Sequence, residues 1–369
     1  MNIMIAATDL RHTNGGVCTH ILDLCKVLTK TEKVILVADG TDYKEEINCI
    51  PGLVYIELPF CQMGQDVNSI IKCYRNLKHV CKEHDVQIIH LHGQRLIPAA
   101  WIVRLTMGIP FLWTNHIDAI PNPNVMAKMC RVMRFPIISV STELKNQLVN
   151  ELGVNADKIT VINNGVDVAT LQPLTNQERA EIRTRFDIEP ETYVISEVAR
   201  IKAVKGQHLL VRAVHRINKK NLGIKIQVLL AGSGEMDWFK KEVMDYANEH
   251  GIDCKYLGFC KPRDVYGVSD LAVLPSIYEG FQLSCIEALA MGCPALRSNT
   301  PGCADMKGSV LVCEKGSLES LTKQLEYAVT HREEMREMAT RGNEMVTRRF
   351  TKEVMALHTR EVYQQILGV

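Results

Sequence analysis

The chain has 369 residues and a formal net charge of +1. This length exceeds what one hydrophobic core usually organises, so two domains are expected. The composition, 46% hydrophobic and 23% charged, excludes a disordered or membrane-embedded chain. The balanced charge gives no reason to expect nucleic acid as a partner.

The first half of the sequence alternates short apolar runs with longer amphipathic stretches. The runs lie at residues 2–7, 34–38, 86–91 and 136–140. Such a rhythm is typical of β-α-β units in a parallel sheet. The apolar run at residues 1–7 is too short for the hydrophobic region of a signal peptide. The longest apolar stretches are interrupted, for example by Arg104 in IPAAWIVRLTM, so no membrane span is expected.

The same rhythm restarts after a polar stretch at residues 175–192, with further runs at 193–199, 225–232, 271–276 and 293–298. We therefore predict an α/β fold of two tandem, doubly wound, Rossmann-like domains, at residues 1–168 and 169–348. The segment 349–369 is predicted to be a helix that returns to the N-terminal domain. Loops at the carboxyl ends of the strands form the ligand crevice in such sheets, so a cleft between facing domains is expected to hold the ligand.

Two glutamates bracket the strongest motif, which runs from Glu279 to Glu287 as EGFQLSCIE between a strand and a helix. The backbone amides of Gly280, Phe281, Gln282 and Leu283 are expected to face an anion at the helix N-terminus. A sugar diphosphate fits this arrangement. Glu279 can accept hydrogen bonds from sugar hydroxyls, and Glu287, about two turns into the helix, can reach a ribose.

Other motifs precede this one in a fixed order. They are Arg200-Ile-Lys-Ala-Val-Lys205-Gly206, Gly232-Ser-Gly234, Leu257-Gly258-Phe259 and Pro275-Ser276. Together with the paired glutamates, they resemble the retaining glycosyltransferases of family 4, and the resemblance covers nearly the whole chain. That family has the two-Rossmann-domain architecture called GT-B.

The resemblance implies roles for the matching residues. Arg200 and Lys205 would bind the donor diphosphate, where two cations oppose a helix N-terminus. Gly232, Gly258 and Phe259 would lie against the nucleotide base. A plain turn explains the glycines about as well. The family usually has Gly-Gly and then Glu after the strand CPALRS, whereas this chain has Pro301-Gly-Cys-Ala-Asp305, so Asp305 is expected to substitute with a shorter reach.

In the first half, Gly15 and Gly16 precede an amphipathic stretch and would let a phosphate approach the backbone. By the same resemblance, His116 of Thr114-Asn-His116 would face the donor sugar across the cleft. Asn164-Gly-Val-Asp167 is interpreted as a hinge marker.

His90 and His92 are two residues apart and are predicted to alternate onto one strand face, which suggests a metal pair. No third ligand is expected to accompany them, so packing or a cleft-lining position is the favoured interpretation. No metal ligand set is therefore assigned.

The resulting hypothesis is a retaining, metal-independent, hexosyltransferase-like enzyme without a cofactor. It would use a nucleotide diphosphate-sugar, with a UDP-sugar favoured, and a glycan or lipid-linked acceptor in cell-surface polysaccharide or lipopolysaccharide biosynthesis. The alternatives are a nucleotide-sugar epimerase of similar fold and an inactive nucleotide-sugar-binding subunit. The expected location is cytoplasmic.

Peripheral membrane contact is a further hypothesis. Residues 60–134 hold nine Lys and Arg against four Asp and Glu. Within them, NSIIKCYRNLKHVCKEH (68–84) reads as an amphipathic helix with Ile70, Ile71, Tyr74, Leu77 and Cys81 on one face. A helix half buried against the sheet is the alternative interpretation.

Overall fold

A computed structural model describes residues 1–11, 15–59, 66–117, 120 and 122–369. The chain divides into a first unit, Met1–Gly165 with Lys352–Val369, and a second unit, Val166–Thr351. The divisions therefore lie within three residues of the boundaries proposed from the sequence.

The first unit contains a parallel sheet with helices on both faces. Its strands are β1 (Asn2–Ala6), β2 (Lys33–Ala38), β3 (Leu53–Glu57), β4 (Ile88–Leu91), β5 (Phe111–Asn115), β6 (Ile137–Ser139) and β7 (Ile159–Val161). Its helices up to the division are α1 (Gly15–Leu28), α2 (Lys44–Asn48), α3 (Val67–Glu83), α4 (Ile97–Met107), α5 (Pro123–Met133) and α6 (Thr142–Leu152). The strand order is β3-β2-β1-β4-β5-β6-β7.

The second unit repeats this plan. Its strands are β8 (Tyr193–Val198), β9 (Ile226–Ala231), β10 (Cys254–Gly258), β11 (Leu271–Leu274), β12 (Ala295–Ser298) and β13 (Leu311–Cys313). Its helices are α7 (Asn176–Arg185), α8 (Gln207–Asn218), α9 (Met236–Phe239), α10 (Asp245–Glu249), α11 (Pro262–Val268), α12 (Leu283–Ala290), α13 (Leu318–Thr330) and α14 (Arg332–Arg349). The strand order in this sheet is β10-β9-β8-β11-β12-β13. In both sheets the order of the parallel strands therefore reverses beside the first strand of the unit, β1 or β8.

The last helix, α15 (Lys352–Leu367), belongs to the first unit and packs against α1. Its Tyr363 is fully buried, with Met355 and Ala356, in the apolar cluster around α1 and β1. Burial of this face stabilises the helix, since most helical stability in proteins comes from tertiary packing of one face.

The central strands are buried on both faces, and their continuous apolar runs are the reason why the sequence predicts both sheets. Residues 3–6 of β1 have no exposed side-chain surface, as expected for a strand covered on both faces. The sequence analysis missed the edge strands β3, β10 and β13. Their residues are mostly half-buried, and partial exposure removes the continuous apolar run that marks a central strand.

Several helix ends are marked by capping residues that can be recognised in the sequence. The Asp66 side chain accepts a hydrogen bond from the backbone amide of Ser69 at the start of α3. Thr175 and Glu178 form a reciprocal capping box at the start of α7. Gly108 ends α4 in the left-handed conformation.

Helix α3 is half buried against its own unit. Leu77 and Cys81 lie in the core, and Tyr74 donates a hydrogen bond to Thr106 near the end of α4 (3.3 Å). The apolar face assigned to a membrane is therefore largely used in packing, which is the alternative interpretation of the sequence. Lys72, Arg75 and Lys82 are exposed. Within the described residues, no helix combines the length and apolar character needed to cross a bilayer.

Candidate functional site

The loop after β8 carries the two cations expected to bind phosphate. Arg200 is exposed, and its carbonyl accepts a hydrogen bond from the buried Gln207 side chain (2.9 Å). Lys205 ends a short 3-10 turn, and Gly206 follows it with φ of 88°. A Cβ at Gly206 would lie 2.5 Å from the carbonyl oxygen of Pro275. Only glycine therefore lets this loop approach the end of β11 so closely.

Lys205 and Glu279 form an ion pair, with Lys205 Nζ 2.6 Å from Glu279 Oε1. Both side chains are largely buried, at 16% and 12% exposure. Gln282 donates to the same carboxylate oxygen (3.3 Å) and to Ser276 (3.1 Å). Charge-assisted bonds in a partly dehydrated setting are stronger than those at a surface. The two motifs therefore meet at one point of the second unit.

Helix α12 begins at Leu283, and the Gln282 side chain does not cap it. The backbone N–H of Cys285 donates to the carbonyl of Gln282 (3.1 Å). A helix start without a side-chain cap offers its first amides to a ligand, with the positive end of the helix dipole behind them. Gly280, Phe281 and Gln282 lead into this end and are buried. Glu287 lies about one turn inside the helix and is partly buried. The estimate of two turns was wrong, because the helix starts later than the apolar pattern suggested.

Glu197 is a buried acid near this pair that the sequence analysis missed. It is 1% exposed at the carboxyl end of β8, and neither carboxylate oxygen has a partner within the described residues. Burial raises the pKa of Glu197 well above its usual value; Lys205 lowers this pKa and Glu279 raises it further. A charged residue inside the apolar run YVISEVA was the available signal, since such residues are rarely fully buried.

The glycines of Gly232-Ser-Gly234 have a packing reason. A Cβ at Gly232 would lie 1.9 Å from the carbonyl oxygen of Ala199, and one at Gly234 would lie 2.2 Å from that of Ile201. Ile201 and Ser233 are joined by a backbone hydrogen bond (2.8 Å). The glycines therefore let the loop after β9 lie directly on the loop that carries Arg200.

The turn after β10 presents an aromatic ring to solvent. Gly258 takes a φ of 67°, and Phe259 is 87% exposed. Tyr256 donates a hydrogen bond to the carbonyl of Gly232 (2.8 Å), which ties this turn to the glycine loop. An exposed aromatic ring beside backbone donors and acceptors is chemically suited to stacking on a nucleobase.

Arg297 organises the loop in which the family pattern breaks. Its guanidinium is fully buried in β12 and donates to the carbonyls of Thr300 (3.0 Å) and Pro301 (2.9 Å). Asp305 follows in a 3-10 turn and is partly buried. The sequence analysis overlooked Arg297, although an arginine inside an apolar strand indicates a buried polar network.

In the first unit, a cavity of about 230 Å³ opens at the carboxyl ends of β1, β4 and β5. His92, Arg95, Asn115 and His116 are among the residues that line it. Asn115 is 1% exposed, and its amide has no hydrogen-bond partner within the described part of the chain. Buried polar atoms in native proteins are usually paired, so these atoms are candidates for ligand contacts.

Gly15 and Gly16 lie at the start of α1, not in a loop before it. The sequence analysis set both glycines before the amphipathic stretch, whereas the structure includes them in the helix. Gly15 has a φ of 28°, which a side chain would disfavour. The helix N-terminus still provides backbone donors to an anion.

Four histidines pack together beside the cavity. Nδ1 of His92 lies 2.9 Å from Nε2 of His116. His20, on α1, bonds through Nδ1 to the amide oxygen of Asn164 (2.9 Å). Both ring nitrogens of His90 are occupied, by Tyr363 and by Thr114 (2.6 Å each).

This arrangement corrects the interpretation of the His90 and His92 pair. His92 does have further imidazoles beside it, but they come from His20 and His116, which are distant in sequence. Asn164, interpreted as part of a hinge marker, also positions His20.

Burial keeps these rings neutral near pH 7. It lowers the pKa of His20 to about 4, against the raising effect of the Asn164 hydrogen bond, and with help from His20 it lowers the pKa of His90 to about 3. Burial, followed by the neighbouring imidazoles, also holds the pKa values of His92 and His116 well below the usual value. The four histidines therefore offer neutral donors and acceptors, not charge.

Two protein-family models match the chain. The model "Glycosyltransferase Family 4" matches residues 14–170, and "Glycosyl transferases group 1" matches residues 178–345. Among curated relatives, the D-inositol 3-phosphate glycosyltransferase of Rhodococcus jostii is 27% identical over 58% of this chain and 52% of that protein. The one from Corynebacterium kroppenstedtii is 26% identical over 82% of this chain and 70% of that protein. The chain thus spans 52% and 70% of the lengths of these two relatives.

Solved structures match over nearly the full length. A glycosyltransferase from Rickettsia africae has a TM-score of 0.88 at 19% identity and covers 99% of this chain and 98% of its own. Anabaena HepE, in complex with UDP and glucose, has a TM-score of 0.81 at 16% identity and covers 99% and 100%. At these identities the likeness shows the fold, which is GT-B, as predicted.

Proposed function

The chain belongs to glycosyltransferase family 4, and from that premise we propose that it transfers a sugar from a nucleoside diphosphate to an acceptor hydroxyl with retention of configuration. The observation that carries the proposal is the Lys205–Glu279 pair at the start of α12. It puts a cation, a carboxylate and the donor end of a helix at one place. Those are the groups that a sugar diphosphate requires.

The diphosphate is bound by Arg200, Lys205 and the first amides of α12. In the structure Lys205 is neutralised by Glu279. An incoming phosphate would share the ammonium, which has three donors, while Glu279 turns its second oxygen to sugar hydroxyls. This sharing couples recognition of the phosphate to recognition of the sugar.

During transfer, the bond between the anomeric carbon and the diphosphate oxygen breaks, and a bond from the acceptor oxygen to the same carbon forms on the same face. The departing diphosphate oxygen takes the acceptor's proton. Arg200, Lys205 and the N-terminus of α12 stabilise the negative charge that grows on the leaving group. His116 contributes a neutral imidazole hydrogen bond to the sugar.

The nucleotide is bound through Glu287 to the ribose, and through the turns at Gly232 and Gly258–Phe259 to the base. We favour a uridine nucleotide because HepE was crystallised with UDP, and because exposed Phe259 offers a stacking surface. Asp305, held in the loop organised by Arg297, would provide a further acceptor for the nucleotide end.

Catalysis would proceed without a divalent metal. The sequence holds no Asp-x-Asp pair, and Arg200 and Lys205 supply the positive charge that magnesium provides elsewhere in phosphate chemistry. Activity that survives EDTA supports this part of the proposal. Activity abolished by EDTA and restored by Mg²⁺ or Mn²⁺ contradicts it.

The acceptor is proposed to be a growing or lipid-linked glycan of a cell-surface polysaccharide, with the exposed basic side of α3 near a membrane. A phosphorylated cyclitol is the second candidate. It is favoured by the names of the curated relatives and by Arg95, a cation that lines the cavity of the first unit. The membrane contact is tested by measuring how much protein sediments with anionic and with neutral vesicles. More protein is expected to sediment with the anionic vesicles.

The decisive experiment measures donor consumption with and without acceptors. The purified chain is first screened against nucleotide sugars for thermal stabilisation, since a ligand at 100 times its Kd adds about 2.7 kcal/mol. The stabilising donor is then incubated with lipid-linked glycans, with inositol phosphate or with no acceptor. Acceptor-dependent release of nucleoside diphosphate, with a product of unchanged anomeric configuration, supports the proposal. Conversion without an acceptor indicates an epimerase, and stabilisation without turnover indicates a binding subunit.

A further inference from the structure

Three of the four packed histidines, His20, His92 and His116, form what we call the three-histidine cluster. One nitrogen of each lies within 4.8 Å of the nitrogens of the other two. They come from α1 and from the segments after β4 and β5, so three separate elements converge on one point. His20 and His92 are buried, and His116 is partly exposed.

The hydrogen bonds around the cluster prepare two of its nitrogens for a ligand. Because an amide oxygen can only accept, His20 must donate from Nδ1 to Asn164, which leaves the lone pair on its Nε2. Nε2 of His92 is buried and has no partner within the residues that the structure describes. A hydrogen bond behind a ligating imidazole that fixes its tautomer is a usual feature of metal sites in proteins.

We propose that the three-histidine cluster binds a divalent transition metal of the zinc type, Zn²⁺ or Co²⁺. Zinc binds imidazole nitrogen at about 2.0–2.1 Å, which puts tetrahedral ligand atoms about 3.3 Å apart. One ligand nitrogen of each of the three residues lies within 4.8 Å of the other two. Small ring rotations therefore bring the three nitrogens to the spacing that a tetrahedral metal requires.

Three imidazoles leave one position open, and the cavity beside His92 and His116 gives an ion access to it. This location makes the metal an inhibitor. If His116 contacts the sugar, as the proposed function requires, a metal on its imidazole blocks that contact. The inhibition therefore rests on the proposed function, whereas metal binding itself does not.

The test is a titration of the purified full chain with Co²⁺, in the absence of donor and acceptor. It is done in a Cys49→Ser background, since Cys49 is an exposed thiol. The expected result is one equivalent bound, with the visible absorption of tetrahedral cobalt, no thiolate charge-transfer band, and displacement by Zn²⁺. His20→Gln and His92→Gln should each bind at least 10-fold more weakly.

His90→Gln is the matched control. His90 lies in the same cluster of rings, with its centroid 4.2 Å from that of His92, but both of its nitrogens are already bonded. It should bind cobalt like wild type. Equal affinity of wild type, His20→Gln and His92→Gln would overturn the proposal, as would a thiolate signature.

Thermal unfolding checks that the variants fold and gives a second reading. Zn²⁺ should raise the Tm of wild type and of His90→Gln, and raise that of the two cluster variants less. No rise in the wild-type Tm overturns metal binding. Because neither measurement involves transfer, a failure here leaves the proposed enzyme activity standing. If metal binds and Zn²⁺ does not inhibit transfer, the proposed contact of His116 with the sugar is wrong.

Discussion

The two units share one sheet topology, yet their candidate binding surfaces differ in electrostatics. The second unit concentrates charge, with the Lys205–Glu279 pair and the buried Glu197 at the carboxyl end of its sheet. The cavity of the first unit is lined by neutral imidazoles and the amide of Asn115, with Asp9 and Arg95 also among its lining residues. One fold therefore supplies a largely buried ion pair in one unit and mainly neutral hydrogen-bonding groups in the other, depending on the side chains at its strand ends.

We therefore expect the two units to have different roles in the transfer reaction. Stabilising a departing diphosphate requires cations, and the second unit carries two of them, Arg200 and Lys205, in the loop after β8. Neutral groups can orient hydroxyls without the cost of burying charge. Substitutions in the second unit should therefore cost more activity than those in the first.

The largest effect is expected for Lys205→Met. Removing a cation that stabilises developing negative charge costs about 2.7–4 kcal/mol, a fall of roughly 100- to 1,000-fold in kcat/KM. Steady-state kinetics with the preferred donor measures it. Lys202→Met is the control. Lys202 lies in the same loop, but its side chain is exposed and its ion pair with the exposed Glu235 is long, at 3.8 Å. Equal losses in both variants would contradict a specific role for Lys205.

Glu279→Gln and Glu287→Gln should differ in kind. Glu279→Gln loses charge-assisted bonds to sugar hydroxyls worth ~1.5–3 kcal/mol, which predicts a roughly 10- to 150-fold fall, mainly in kcat. Glu287→Gln should chiefly raise the KM for donor. Affinity for free nucleoside diphosphate should survive the first change and fall with the second. If the nucleotide bound both variants like wild type, the ribose role of Glu287 would be wrong.

The ion pair also predicts non-additivity. Lys205 and Glu279 are in direct contact, so the double variant Lys205→Met/Glu279→Gln should lose less activity than the product of the single losses. Strict multiplicativity would mean that the pair does not act as a unit.

A smaller effect is expected for His116→Ala in the first unit. A neutral hydrogen bond contributes about 0.5–1.5 kcal/mol, a loss of roughly 2- to 12-fold in kcat/KM. His79→Ala, a change at an exposed histidine of α3, should have no effect. A loss as large as that of Lys205→Met would refute the division of work between the units.

The smallest effect on activity, but a gain in stability, is expected for Glu197→Gln. Burial raises the pKa of Glu197 in the folded state. The unfolded chain therefore ionises first, and wild type loses stability as pH rises from about 4.5 toward the folded-state pKa. The variant should be more stable at pH 8, by about 0.5–2 kcal/mol.

Thermal unfolding at pH 5 and pH 8 checks this, with exposed Glu191→Gln as control. The difference between Glu197→Gln and wild type should shrink toward pH 5. A variant less stable than wild type at pH 8 would mean that the carboxylate is paired with Lys205 and favourable.

The sequence alone determined the fold and the order of the motifs. Residues 3–6 of β1 and all of β11 are apolar because both faces of these central strands are covered, and glycines at positions 206 and 232 mark places where backbones approach. Ordered motifs from Arg200 to Glu287 were sufficient to identify the family. These signals are local, so they can be read without the fold.

Only the tertiary structure decided which side chains meet. The contact of Lys205 with Glu279 joins residues 74 positions apart, and that of His20 with Asn164 joins residues 144 apart. The sequence predicted a pair of histidines on one strand. In the structure His92 follows the end of that strand, both nitrogens of His90 are bonded to Tyr363 and Thr114, and His20 and His116 lie beside His92. Periodicity reports which face of an element is buried. It carries no information about which neighbour lies opposite, because that depends on how separate strands and helices pack.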